Sequence, residues 1–171
     1  YIDGTVSGGA EGGHTLSGDA SGNTIVMEGG TVLNSLYGGF TADGSALNNV
    51  ITVKGGRVNA EVVGGYDDGT ATGNTVTLYG SADLSGSGLY GGKSGGSSSD
   101  VFTGNTLNVH GQIQAASLQN FQNLNFSDVS EEKPSVDLSG SAVIGDGKGS
   151  MTSVAMTGLE NTGVGDVPEE Y

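Results

Sequence analysis

Apolar and polar residues alternate with a period of two in four short segments of the chain. The intervening positions are mostly polar or β-branched. Alternation of this kind predicts β-strands with one face in a core and the other facing solvent. The predicted core positions are the pairs Ile25 and Met27, Ile51 and Val53, Val76 and Leu78, and Leu107 and Val109.

The four segments are copies of one repeat. Each copy has an asparagine directly before its alternating stretch, and these asparagines are separated by 26, 25 and 31 residues: Asn23, Asn49, Asn74 and Asn105. A second marker follows the first three copies as LYGG, VVGG and LYGG, at 36–39, 62–65 and 89–92. The third step is longer because it contains a Gly/Ser-rich stretch, SGGSSSD at 94–100, which we expect to protrude from the repeat.

A strand of about six residues cannot bury its apolar face alone, but stacked copies can. About 25 residues accommodate three short strands and three turns, which predicts an all-β fold, a parallel β-helix (β-solenoid) with about 25 residues per coil. In the first copy we expect strands at 23–28, 31–33 and 35–38. Like residues of successive coils then lie about 4.8 Å apart. One interior ladder contains Ile25, Ile51, Val76 and Leu107, and another contains Leu36, Val62, Leu89 and Leu118.

The asparagines and glycines are predicted to form the corners of the coils. We expect the asparagine side chains to pair up a column, as amides do in stacked strands, in a structural and not a catalytic role. Glycine tolerates positive φ, which sharp turns require. The glycine pairs expected at corners are 29–30, 55–56, 38–39, 64–65 and 91–92.

Other architectures explain the repeat less well. A β-sandwich has hairpin turns every 8–12 residues or so but no fixed register of about 25 residues. A propeller blade repeats at about 40–45 residues or more, and no helical periodicity is present. The regular spacing breaks after Phe126, so we divide the chain into regular coils at 1–126 and irregular coils or a cap at 127–171. Within the second part, an acidic Pro-containing loop is expected at 127–135, and the end of the tail is expected to be loosely ordered.

Composition excludes several classes of function. Glycine accounts for 34 of the 171 residues, and the net charge is −14 with only 5 Lys and Arg. A nucleic-acid partner would need a basic surface, so none is expected. The chain has no cysteine for disulfides or thiolate metal sites. No apolar run of about 18 residues suits a membrane span, so direct membrane insertion is not expected.

The repeats resemble a known family. The order GNTVTLYGS and LYGGKS, followed by GNTLNVHGQIQAASLQNFQNLNF at 104–126, resembles the Gly-rich repeats in passengers of bacterial autotransporters. Those are large adhesin-like surface proteins of Gram-negative bacteria. The resemblance covers about residues 5–126. It implies a right-handed β-helix, an extracellular position at the cell surface beyond the outer membrane, and a secreted segment that serves cell adhesion or acts as a rigid stalk. It implies no catalytic residues and no cofactor.

Enzyme chemistry has few candidate residues. A β-helix lyase would need a basic residue and carboxylates that bind calcium, and the one arginine is Arg57. Lys54 is expected instead to form an exposed ion pair with Glu28 of the preceding coil. Both His14 and His110 are expected at the surface. Weak calcium candidates are four aspartates that precede the column asparagines: Asp43, Asp67, Asp68 and Asp100.

One group of residues could carry binding. Tyr37 and Tyr90 flank Val63 in one predicted column, and Phe40, Tyr66 and Lys93 form the next column. Aromatic rows could bind sugar rings or a protein partner, or they could simply pack on one another. Together with the resemblance, these residues predict a non-enzymatic surface protein that acts in adhesion or as a rigid stalk, with a host glycan or a matrix protein as its possible partner. The alternatives are a carbohydrate-active β-helix enzyme and a fibre subunit that self-associates through its open coil edges.

Overall fold

The structure is a computed structural model that describes residues 1–96 and 100–157. The described part is all-β and contains no helix. Its parallel strands stack as a β-solenoid of about six turns, about 26 residues apart. This confirms the predicted fold class.

Eighteen strands make up the described part of the solenoid. Their bounds are β1 Ile2–Val6, β2 Ala10–Glu11, β3 His14–Thr15, β4 Ala20–Ser21, β5 Thr24–Val32, β6 Leu36–Thr41, β7 Ala46–Leu47, β8 Val50–Val53, β9 Gly56–Val58, β10 Glu61–Asp67, β11 Ala71–Thr72, β12 Thr75–Tyr79, β13 Ala82–Ser94, β14 Thr106–His110, β15 Ile113–Gln119, β16 Asn123–Ser127, β17 Val136–Leu138 and β18 Ser153–Met156.

The strands form three walls. The first wall contains β1, β5, β8, β12, β14, β16 and β18. The second wall contains β2, β3, β6, β10, β13, β15 and β17. A short third wall contains β4, β7 and β11. Strand β9 pairs with the end of β5 and the start of β13, and so links the first two walls.

Both predicted interior ladders are present. On the first wall, Ile25 pairs with Ile51, Val76 with Ile51 and Leu107 with Val76. On the second wall, Leu36, Val62, Leu89 and Leu118 are likewise in register. All eight predicted core residues of the alternating segments are buried. The apolar face therefore lies inside the solenoid, because each coil buries its neighbour's aliphatic side chains.

The asparagine column is confirmed, and its side chains form hydrogen bonds with backbone groups as well as with one another. Within the column, the Asn49 side-chain amide donates to Asn74 Oδ1 at 3.0 Å, and the Asn49 backbone N–H donates to the same oxygen at 3.0 Å. The amide also donates to the Ala20 carbonyl at 2.9 Å. Asn23, Asn74 and Asn105 repeat parts of this pattern. The column thus satisfies buried main-chain groups beside the third wall, where those groups would otherwise lack partners.

The prediction that the glycine pairs of the second marker occupy corners is wrong. The pairs 38–39, 64–65 and 91–92 lie inside β6, β10 and β13, and none of them has positive φ. Their small size is needed because the asparagine column packs against them. A Cβ added to Gly64 would lie 2.8 Å from Asn74 Cβ and 2.4 Å from the Gly91 carbonyl oxygen.

The left-handed backbone lies elsewhere in the coil. The residue before each column asparagine has positive φ, and three of these four residues are glycine: Gly22, Asn48, Gly73 and Gly104. Gly30 and Gly56 also have positive φ, as expected for turn glycines. Strand β5 nevertheless continues from Thr24 to Val32, so the predicted strands at 23–28 and 31–33 are one strand in the first copy. The predicted strand at 35–38 is longer, at 36–41.

The coils change after the fourth copy. Leu107 pairs with Leu124, a step of only 17 residues in the sequence, because the chain passes from β15 to β16 without a third-wall strand. The ladders continue past Phe126: β17 pairs with β15, and β18 pairs with β16. The expected acidic loop at 127–135 follows β16 and contains no strand beyond Ser127. The predicted loose end of the tail lies outside the described residues, as does part of the predicted protruding stretch at 94–100.

Candidate binding face

The four candidate binding residues lie on the second wall. Tyr37 and Tyr90 both pair with Val63, and Tyr66 pairs with Phe40 and with Lys93, so both predicted columns are present. Val63 is fully buried, whereas the four aromatic side chains are partly exposed. We call the surface formed by Tyr37, Phe40, Tyr66 and Tyr90 the aromatic face.

Aromatic rings on this face stack along the solenoid. Phe40 and Tyr66 are nearly parallel, with centroids 4.9 Å apart and an interplanar angle of 3°. His14 stacks on the other side of Phe40 at 4.9 Å. Tyr37 meets Phe40 and Tyr66 edge-on at 5.6 and 5.9 Å. Such geometries are the favoured ones for aromatic pairs, and the spacing follows from the distance between coils.

Titratable side chains flank the aromatic face at both of its ends. Lys93 Nζ lies 2.7 Å from Glu61 Oε1 and 4.9 Å from the centroid of the Tyr90 ring. Burial works to lower the pKa of Lys93, but its hydrogen bond and ion pair with Glu61 outweigh this and raise the pKa. At the opposite side, Glu11 Oε2 lies 2.5 Å from His14 Nδ1. The ring of Tyr90 lies beside Gly88, where a Cβ would come within 2.9 Å of it.

This packing decides which parts of the rings a ligand can reach. Both faces of Phe40 are occupied by neighbouring rings, so a sugar could not stack on it. The hydroxyls of Tyr37, Tyr66 and Tyr90 have no hydrogen bond within the described chain and are not buried. Three phenol hydroxyls and several ring edges on one wall therefore offer hydrogen-bonding and apolar contacts to a partner.

The four candidate calcium ligands occupy different environments. Asp43 and Asp68 are exposed on turns, and Asp67 is fully buried at the end of β10. Asp100 Oδ1 accepts the backbone N–H groups of Phe102 and Thr103 at 3.0 and 2.9 Å. Burial works to raise the pKa of Asp100, but these hydrogen bonds and the charge of Lys148 lower it. Within residues 1–96 and 100–157, no three His, Asp or Glu side chains are grouped to hold a metal ion.

Asp67 is unusual among the described residues. Its side chain has no exposure to solvent, and neither carboxyl oxygen has a hydrogen-bond partner. Burial raises the pKa of Asp67 to about 6, the backbone of Ala46 offsets part of this, and the charge of Asp68 adds to it. The Ala46 N–H faces Asp67 closely enough to lower its pKa, but it donates its hydrogen bond to the Thr70 carbonyl at 2.9 Å and leaves both carboxyl oxygens without a donor.

The remaining candidates lie on other parts of the solenoid. Arg57 Nε donates to Asn59 Oδ1 at 2.9 Å, and Nε is 3.7 Å from Asp83 Oδ2. The predicted ion pair between Lys54 and Glu28 is present, with Nζ 2.8 Å from Oε1. It raises the pKa of Lys54 through the hydrogen bond and the charge of Glu28.

A serine–histidine contact on the first wall escaped the sequence analysis. His110 Nδ1 lies 2.7 Å from Ser127 Oγ, and Tyr79 stacks on the imidazole at 4.5 Å. The two residues are directly paired across β14 and β16. The contact therefore follows from the register, as the Lys54–Glu28 pair does. Only the 17-residue step brings Ser127 beside His110, and the repeat length of the earlier copies does not predict that step.

Comparison of the chain with protein-family models, curated proteins and solved structures gave no match. Among the described residues, no helix is long and apolar enough to cross a membrane.

Proposed function

We propose that the chain is a non-enzymatic, rod-like segment of a bacterial cell-surface protein, of the kind found in autotransporter passengers. In this role it serves adhesion or holds other parts of a surface protein away from the cell. The aromatic face supports a role in binding, because it places three partly exposed tyrosines, whose hydroxyls have no hydrogen bond within the described chain, and several ring edges along one wall. Stacked coils with buried ladders are also suited to rigid projection.

The proposed partner is a host glycan or a matrix protein outside the cell. Tyrosine supplies a large apolar area together with a hydroxyl and loses little conformational entropy on binding. Since the ring faces of Phe40 are occupied, contacts to a partner would come from the ring edges and hydroxyls of its neighbours. Several weak contacts along one wall would then add together when the partner is itself repetitive.

The experiment is retention on the immobilised chain. Acidic and neutral glycans and matrix proteins are passed over it with and without calcium, and the flow-through is assayed for cleavage products. We expect saturable retention without products. Tyr66→Ala should weaken retention about tenfold or more, as the loss of an interface tyrosine commonly does. Tyr79→Ala is the matched control, because Tyr79 also stacks on a neighbouring ring but lies on the first wall.

The other outcomes point to different functions. Cleavage products would contradict the non-enzymatic proposal and favour a carbohydrate-active enzyme. Equal loss of retention in Tyr66→Ala and Tyr79→Ala would mean that the aromatic face is not the binding surface. Concentration-dependent association without retention, measured by sedimentation velocity, would favour a fibre subunit.

A further inference from the structure

The position of Asp67 in its wall is normally taken by a hydroxyl. On the second wall, Thr15 pairs with Thr41, Phe40 pairs with Tyr66, and Asp67 pairs with Ser94. Asp67 therefore stands in a column whose other members are Thr15, Thr41 and Ser94. Thr41, like Asp67, is fully buried.

The threonine of the preceding coil shows what this position requires. Thr41 Oγ1 donates a hydrogen bond to the carbonyl oxygen of Gly18 at 2.8 Å. One coil later, Gly44 stacks on Gly18, and Gly69 stacks on Gly44. The repeat therefore places the Gly44 carbonyl next to Asp67, in the position that the Gly18 carbonyl has next to Thr41. A carbonyl oxygen needs a donor, and a carboxylate cannot donate.

We propose that Asp67 in acid is a neutral carboxylic acid whose O–H donates a hydrogen bond to the Gly44 carbonyl. The stability of this corner of the solenoid then depends on pH. In acid, the carboxylic acid fulfils the role of the threonine hydroxyl. At neutral pH, the ionised side chain is a buried charge without a donor beside a carbonyl oxygen, which is unfavourable. This inference concerns folding of the rod and does not depend on the proposed ligand.

The titratable groups around Asp67 are mostly acids and tyrosines. The elements that pack against β10 are β6, β7, β11, β12 and β13. Of these, β7 and β11 have no titratable residue. The titratable groups on the others, on β10 itself and on the adjoining turns are Tyr37, Asp43, Glu61, Tyr66, Asp68, Tyr79, Asp83, Tyr90, Lys93 and Asp100. Among them, the charge of Asp68 raises the pKa of Asp67, and the ammonium of Lys93 is paired with Glu61. Within residues 1–96 and 100–157, no cation therefore compensates an ionised Asp67.

The direction of the pH effect follows from the two protonation states. The pKa of Asp67 is about 6 in the folded chain and about 3.9 in an unfolded one. Between these values the folded chain holds a proton that the unfolded chain has lost, so stability falls as pH rises. The stabilisation is complete below about pH 4, is lost as the pH rises to about 6, and stays lost above that.

The test compares melting temperatures of the full chain and its variants between pH 4.5 and 7.5. In Asp67→Asn the side-chain amide can donate without a charge, and Asp67→Thr restores the residue type of the preceding coil. We expect both variants to melt within about 2 °C of the unsubstituted chain at pH 4.5 and about 5 °C higher at pH 7.5. Asp68→Asn removes the same charge from an exposed neighbour and should keep the fall in stability between acid and neutral pH, with a slightly lower midpoint because the charge of Asp68 raises the pKa of Asp67.

Two results would overturn the proposal. The first is a difference between Asp67→Asn and the unsubstituted chain that is the same at pH 4.5 and pH 7.5. The second comes from the unsubstituted protein and does not require a variant to fold. Its Asp67 carboxyl carbon is followed by NMR as the pH is changed. We expect a midpoint near pH 6, and a midpoint below pH 4 would show that the side chain is an ordinary carboxylate.

Discussion

Replacement of Asn74 with alanine will lower the free energy of unfolding by about 3–5 kcal/mol, because it leaves several buried polar groups without partners. Asn74 Oδ1 accepts both the backbone N–H and the side-chain amide of Asn49. Its own amide donates to the Ala46 carbonyl at 3.0 Å and to Asn105 Oδ1 at 3.2 Å. Urea unfolding followed by far-UV circular dichroism will measure the loss.

An asparagine on the outer side of the first wall provides the control for Asn74. Asn108 donates to Thr77 Oγ1 and accepts from Asn125, so it also belongs to a ladder between coils, but it is partly exposed. Water can replace these partners, so Asn108→Ala should cost only about 1 kcal/mol or less. Similar costs for the two substitutions would contradict the structural role given to the buried column.

Replacement of Gly64 with alanine will destabilise the chain by about 3 kcal/mol, since a single added methyl group overpacks the wall. The new Cβ would lie 2.4 Å from the Gly91 carbonyl oxygen and 2.8 Å from Asn74 Cβ. Both neighbours are held in place by the stacked coils, so neither can move away without breaking ladder hydrogen bonds. The expected readout is a large fall in the midpoint of urea unfolding.

Gly86 is the matched control for Gly64, because it also lies within a strand and lacks positive φ. A Cβ there would meet only the Asn59 carbonyl oxygen, at an ordinary distance of 3.6 Å. Gly86→Ala should therefore be neutral or stabilise the chain by up to about 1 kcal/mol, because alanine restricts the unfolded chain. Equal destabilisation by Gly64→Ala and Gly86→Ala would refute the packing explanation.

The positions of the glycine pairs were predicted incorrectly in part, because glycine has two different roles in this coil. A glycine that is needed for positive φ and one that is needed for close packing leave the same letter in the sequence. Gly30 and Gly56 have positive φ, whereas the glycines at 38–39, 64–65 and 91–92 lack it and pack against the asparagine column from within their strands. The sequence does contain a second sign of the asparagine column. An alanine stands three residues before Asn23, Asn49 and Asn74, and its carbonyl accepts a hydrogen bond from the side-chain amide of the next asparagine in the column.

The aromatic face, too, could be predicted from the sequence only in part. The pairing of Tyr66 with Phe40 and Lys93, and of Val63 with Tyr37 and Tyr90, could be predicted from sequence spacing alone. The orientation of the rings could not be predicted, because stacking depends on rotamers that neighbouring coils select together. The burial of Asp67 was also missed, because an Asp-Asp-Gly sequence indicates a turn, whereas β10 continues to Asp67 and directs its side chain inward.

By itself, the sequence determined the repeat, the parallel stacking, the two interior ladders and the asparagine column. These features follow from translational symmetry, since each coil must match the coils on either side and the matching residues recur at a regular distance. Only the tertiary structure decided the 17-residue step after Leu107, the glycines that make room for the column, the stacked aromatic rings and the buried acid. Each of these depends on which side of a strand a residue faces and on what the adjacent coil places there, and a single strand does not encode that information.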